Sequence, residues 1–163
     1  MSSSSTAADE TTTAVHRSIA VEVGQERAFE VFTEGFDSWW IRSHHIGAAE
    51  MDTAVIEPRS GGRWYERGVD GTECDWGYVI AWEPPERLVL VWQINGQWQF
   101  DPALVTEVEV TFRPDGDART HVDLVHRHLE RLGDAATQIR TVFESEAGWP
   151  GLLQRFAASA ESA

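Results

Sequence analysis

GDAATQIRTVFESEAGWPGLLQRFAASAESA, residues 133–163, is the stretch that decides the fold. Within it Ala135, Ile139, Val142, Glu146, Trp149, Leu153, Phe156 and Ala160 recur at steps of four and three, and all but Glu146 are apolar. That spacing predicts an amphipathic helix running to the C-terminus. Gly148-Trp149-Pro150-Gly151 interrupts the pattern without changing its phase. Pro150 has no N–H and its ring meets the carbonyl one turn back, so a kink or a fresh helical start is expected there. A stripe this apolar is not stable in water by itself and has to be wrapped.

The preceding residues supply the wrapping. Val15 to Val23 alternates between apolar and polar positions and predicts a first strand. Gln25 to Glu34 carries Ala28, Phe29, Val31 and Phe32 at helical spacing, and Phe36 to Ile41 predicts a second short helix after Gly35. Six further strands follow, over residues 54–58, 63–67, 74–83, 88–94, 105–113 and 120–128. Gly61-Gly62, Asp70-Gly71, Asn95-Gly96 and Pro114-Asp115-Gly116-Asp117 mark turns between them, and Pro84-Pro85 stops the fourth strand. The result is an α+β chain: a seven-stranded curved antiparallel sheet around a long C-terminal helix, with two short helices after strand 1. One domain over 14–163 is expected, preceded by a disordered tail over 1–13 (MSSSSTAADETTT), which has no large apolar residue to bury.

Charge narrows the partners. The net charge is -14, and all thirteen basic residues are Arg. Such a surface repels polyanions, so nucleic acid and anionic membranes are poor partners. Cys74 is the only cysteine, which rules out an intrachain disulfide and points to a reducing cytoplasm. No stretch is apolar for long enough to suggest membrane insertion.

The order strand, two helices, six strands, helix resembles the helix-grip fold of the START, or SRPBCC, superfamily. The chain is most similar to the branch related to the heat shock protein 90 ATPase activator. The residues that carry the resemblance are Ala28-Phe29-Glu30-Val31-Phe32, Trp39-Trp40, Gly61-Gly62, Gly77-Tyr78-Val79 and Pro84-Pro85-Glu86-Arg87-Leu88. Val125-His126-Arg127, Gly148-Trp149 and Leu152-Leu153 complete it, over roughly residues 15–160. The resemblance implies a sheet gripping the terminal helix. It leaves the activity open among lipid carriers, polyketide cyclases, hormone receptors, antibiotic-sequestering proteins and co-chaperones.

The residues themselves favour a pocket. Eight Trp, two Tyr and seven Phe are an unusual load. A ring that buries ~150–250 Å² gains ~4–6 kcal/mol gross at ~25 cal/mol per Å². Rings that merely fill a core would also gain this, but eight indoles exceed what one small core needs. A hollow between sheet and helix would leave its aromatic walls to be covered by a hydrophobic or aromatic guest. Trp40, Trp64, Trp76, Tyr78, Trp92, Phe112, His126 and Trp149 are the candidate lining, with Phe36 and Trp40 at the mouth under the loop 42–51. Alternation alone does not say whether Trp76, Tyr78, Ile80 and Trp82 or Gly77, Val79 and Ala81 turn inward. If Trp76 and Tyr78 face outward, a sheet-mediated homodimer is expected.

Catalysis has few candidates. His126 shares a face with Val122 and Leu124 and is read either as a proton-transfer group or as a histidine satisfied by the protein. Glu66, Arg63 and Tyr78 complete the credible acid–base set, and Glu57, Arg59, Arg63 and Glu66 could form ion pairs around Gly61-Gly62. The His126-x-His128 pair and His44-His45 have no further spaced ligands, so no metal is expected. No nucleophile motif or phosphate loop is present, and no cofactor is expected. Three readings follow: carriage or sequestration of a polyketide-like molecule, in secondary metabolism or self-resistance; a cofactor-free cyclase or aromatase; and a co-chaperone-like regulator of an ATPase. The third is set lowest, since such activators carry an additional N-terminal domain not recognised in this sequence.

Overall fold

The computed structural model describes residues 14–162; the tail expected over 1–13 lies outside the described residues. Strand β1 (Val15–Val21) leads to helices α1 (Gln25–Thr33) and α2 (Phe36–Trp39). Strands β2 (Met51–Ile56), β3 (Arg63–Gly68), β4 (Glu73–Glu83), β5 (Arg87–Trp92), β6 (Thr106–Pro114) and β7 (Thr120–Arg127) follow. A 3₁₀ segment (Leu129–Ala135) then feeds helices α3 (Ala136–Glu144) and α4 (Trp149–Glu161). All seven strands form one antiparallel sheet in the order β1-β7-β6-β5-β4-β3-β2. This is the α+β helix-grip architecture, with the helices packed on the inner face of the curled sheet.

Two irregularities in β4 settle the question its alternation left open. Against β3, Gly77 pairs with Trp64 and Asp75 with Tyr65, so Trp76 is an extra residue. Against β5, Val79 pairs with Leu90 and Ala81 with Val89, so Ile80 is another. Each insertion inverts the side-chain phase. Trp76 is therefore buried, and Trp82 packs edge-on against Phe29 at 5.1 Å, while Tyr78 and Ile80 between them face outward. Gly77 permits this because a Cβ there would lie 1.7 Å from the Val91 carbonyl oxygen. The outward face thus keeps Tyr78 but not Trp76, and the expectation of a dimer built on both does not match the sheet.

The terminal helix is bent into two segments, with the fresh start expected at Pro150. α3 ends at Glu144, and Ser145 turns the chain, its N–H and hydroxyl both donating to the Val142 carbonyl. α4 restarts at Trp149 with Pro150 in its first turn, where a missing N–H breaks no helical bond. The turn is tight because of its glycines. A Cβ on Gly148 would sit 2.4 Å from the carbonyl oxygens of Val142 and Phe143, and one on Gly151 would sit 1.8 Å from that of Glu146.

Candidate ligand-binding site

A cavity of about 390 Å³ opens where the helix is broken. Trp76, Trp92 and Ile94 form its sheet wall, and Val142, Phe143, Trp149 and Leu152 form its helix wall. Trp40 and the loop residues Ser43, His44, His45 and Ile46 close one side; Trp98, from the turn after β5, stands at the rim. Its size falls within the range of small-molecule sites, about 300–1,000 Å³.

The four inner indoles are fixed in the same way. Trp40 Nε1–H donates to the His44 carbonyl at 2.9 Å and Trp92 Nε1–H to the Ile94 carbonyl at 3.0 Å. Trp76 Nε1–H donates to Glu66 Oε1 at 2.8 Å, and Trp149 Nε1–H to His126 Nδ1 at 3.2 Å. Each polar edge is spent inside the protein, so these rings present carbon surfaces to the cavity. Their rotamers are held before any ligand arrives, which reduces the ordering entropy that binding would cost.

The bond from Trp149 also fixes the state of His126. With Nδ1 accepting, the ring proton sits on Nε2, which donates to Thr106 Oγ1 at 2.9 Å; the Thr106 hydroxyl donates in turn to the Trp92 carbonyl at 3.0 Å. Burial pushes the pKa of His126 down from 6.5 to about 3, so the ring is neutral. Phe143 stacks on it with centroids 4.7 Å apart. His126 is thus the buried bracket that ties Trp149 to the sheet, and it does not line the cavity. His128 lies beyond the end of β7 with φ 67, so the two histidines do not share a strand face.

Glu66 plays the corresponding part for the loop. Its buried carboxylate accepts from Ile46 N–H at 2.6 Å, Gly47 N–H at 3.1 Å and the Trp76 indole. A Cβ on Gly47 would lie 3.0 Å from Glu66 Oε2 and 3.2 Å from Cys74 Sγ, so only a glycine fits that approach comfortably. Burial and the neighbouring Glu66 carboxylate hold the Cys74 thiol above its ordinary pKa, the opposite of what an activated nucleophile needs. His44 Nε2–H donates to the Ala147 carbonyl at 2.7 Å and so clamps the loop to the helix break.

Four of the eight residues predicted from sequence, Trp40, Trp76, Trp92 and Trp149, border the cavity. Trp64 is buried one layer behind, 5.7 Å from Trp76 and 5.5 Å from Trp92, and its Nε1 has no hydrogen-bond partner among the described residues. Phe112 packs against Phe29 and Phe32, away from the cavity, because β6 crosses there beneath α1. Tyr78 faces outward for the reason given above. Arg63 is on the outer surface, bound to Asp75 at 2.8 Å and Glu73 at 3.0 Å, with its guanidinium 4.0 Å over the Tyr65 ring. None of the acid–base candidates His126, Glu66, Arg63 and Tyr78 borders the cavity. Sequence reasoning missed Trp98, Phe143, His44 and His45 as lining. Trp98 next to the Asn95-Gly96 turn, and His44-His45 in the loop already expected to cover the mouth, were the available signals.

Residues 22–161 match the family described as Activator of Hsp90 ATPase homolog 1-like protein. The chain belongs to that family. Among solved structures, the anthrahydroquino-γ-pyrone synthase Txn09 is 40% identical with a TM-score of 0.64, covering 90% of this chain and 96% of that one. CalC, a self-sacrificing resistance protein from Micromonospora echinospora, is 32% identical with a TM-score of 0.69, covering 92% and 95%. An Hsp90 activator from Plasmodium falciparum is 17% identical with a TM-score of 0.51, covering 71% and 72%, and shares the fold alone. No relative matches among the curated proteins. Among the described residues no helix is long and apolar enough to cross a membrane.

Proposed function

We propose that this member of the family binds a planar, largely aromatic, polyketide-like small molecule in the cavity between the sheet and the broken terminal helix. The observation that carries the reading is the set of four indoles whose N–H groups are all bonded to the protein. They form an apolar wall, fixed in advance, beside an open space of about 390 Å³. Flat aromatic ligands gain most from such walls, by offset and edge-on contact. The match to a resistance protein at 32% identity supports carriage or sequestration.

A second reading, ring closure on a ligand of the same class, is favoured by the 40% identity to a γ-pyrone synthase. In that case the chemistry would fall to polar atoms of the loop 43–46, since the cavity wall is otherwise apolar.

Titrating the protein with an anthraquinone while following tryptophan emission tests both readings. Saturable quenching at one equivalent is expected, and quenching no steeper than that of free tryptophan would sink the binding reading. Chromatography of a cyclisable aryl diketone after incubation separates the two. Recovery unchanged supports carriage, and a new cyclised product supports ring closure.

A further inference from the structure

The two neighbouring histidines of the cavity loop are wired in opposite senses. His44 spends Nε2–H on the Ala147 carbonyl, as described, and its Nδ1 lies 3.5 Å from the Ser43 hydroxyl. His45 does the reverse: Nδ1–H donates to the Gly47 carbonyl at 3.0 Å. A neutral His45 therefore carries its lone pair on Nε2. That nitrogen has no partner among the described residues, although the ring borders the cavity. The Glu66 carboxylate lies 3.9 Å from Nδ1. Glu66 is itself immobilised by its three N–H donors.

Most of the other polar atoms at this end are occupied. The four inner indole N–H groups, His44 Nε2 and the Ala147 carbonyl are engaged within the protein. The free imidazole acceptor thus belongs to a residue that borders a mainly apolar chamber. It calls for a donor on the guest.

We infer that His45 is the specificity-determining residue of the site, accepting a hydrogen bond at Nε2 from a phenolic or enolic O–H of the ligand. The inference rests on the binding proposed above and narrows the guest to hydroxylated aromatics. A site built to hydrogen-bond a hydroxyl rejects the analogue lacking it, because its acceptor is then left unpaired. His45 is the residue that touches the ligand.

The test uses two probes, a monohydroxyanthraquinone whose hydroxyl is remote from the quinone carbonyls, and unsubstituted anthraquinone. Both are titrated against the full chain and against the variants His45→Leu and His45→Gln. The wild type should prefer the hydroxylated probe by about tenfold, as one hydrogen bond to a well-placed acceptor allows. His45→Leu should abolish the preference, bringing the affinities for the two probes to within about twofold of one another. His45→Gln, whose amide oxygen reaches to about the position of Nε2, should restore a part of it. Unfolding midpoints of the two variants, measured alongside, show that the folded protein is being compared. No preference in the wild type, a preference that survives in His45→Leu, or equal loss in Leu and Gln overturns the assignment while leaving the binding reading intact. Failure of the wild type to bind either quinone overturns both.

Discussion

Helix α4 faces two interiors that differ in kind. Trp149 and Leu152, at its start, border the cavity. Phe156, seven residues on and about 10 Å along the axis, packs against Phe32 at 5.2 Å and Trp39 at 5.7 Å. Phe32 in turn meets Phe112 at 5.7 Å, and Phe112 meets Phe29 at 5.2 Å. Both ends are aromatic, yet one is solid and the other hollow. The packed end is mainly phenyl, its indole Trp39 donates its N–H to the Val31 carbonyl at 3.1 Å, and α1 and α2 supply rings that fill it. At the hollow end the sheet meets a helix break instead of a helix. The rings there are Phe143 and mostly indoles, and the N–H groups of Trp40, Trp76, Trp92 and Trp149 each bond a fixed acceptor in the protein. Aromatic content alone does not make a pocket; the gap opens where the helix is broken between α3 and α4, and the bonded indoles keep their places around it.

The largest effect should come from the packed end. Phe32→Ala removes a ring that touches three others and leaves a void that its neighbours cannot fill, which costs about 3–5 kcal/mol. Urea unfolding measures it. Quinone affinity of the molecules that remain folded should stay within about twofold. A loss under about 1 kcal/mol would mean that this end is as loosely filled as the other and would break the contrast.

Acid comes next. His126 is neutral in the folded chain and protonated in the unfolded chain below its ordinary pKa of 6.5, so the unfolded state binds the extra proton as pH falls. Its folded pKa of about 3 therefore makes stability decline from about pH 6.5 down to about pH 3, by more than about 1 kcal/mol per pH unit in the steep part. Carboxylates such as Glu109, held low by Arg87 and Arg127, also lose their partners in acid, so the variant has to be compared with the wild type. In His126→Gln, which keeps hydrogen-bonding atoms but cannot titrate, the share from the imidazole disappears and urea midpoints should fall less between pH 7 and pH 4. Equal slopes would place the histidine in contact with water and undo the bracket that holds Trp149.

The order of elements was legible in the sequence because strand alternation and helical spacing are local signals. Seven strands, the two short helices and the turns at Gly61, Asp70 and Pro114 lie within a few residues of their expected places. What the pattern could not carry was phase. Tyr78 and Trp76 share a parity in the sequence, and only the extra residues in β4 send one out and the other in. Phe112 reads as core from its alternation with Val108 and Val110, but alternation says nothing of which end of the core it occupies. His126 reads equally as catalytic or as satisfied; the choice depends on Trp149 and Thr106, which are distant in sequence and meet it only in the fold. His45 and Trp98 lie in turns, where no period exists to mark a direction.

Trp98 gives the smallest effect on stability and the cleanest separation of the two functions of an aromatic ring. It is 43% exposed at the cavity rim, 6.5 Å from Phe143, and it adopts φ 60, a left-handed conformation unfavourable for a residue with a Cβ. Asn95 holds it there, its side-chain oxygen accepting from the N–H groups of Gln97 and Gln99. Replacing Trp98 by Gly removes a partly exposed ring, which destabilises, and relieves backbone strain, which stabilises; the two terms are each of order 1 kcal/mol and opposed. Urea unfolding of Trp98→Gly should thus stay within about 1 kcal/mol of the wild type. Quinone binding has no such compensation. Loss of one ring contact worth about 0.5–1.5 kcal/mol should weaken it by about two- to tenfold. A ring that matters to the guest and not to the fold marks a surface held open for a ligand. If Trp98→Gly instead unfolds the protein and leaves quinone affinity unchanged, the rim is ordinary core and the cavity ends below it.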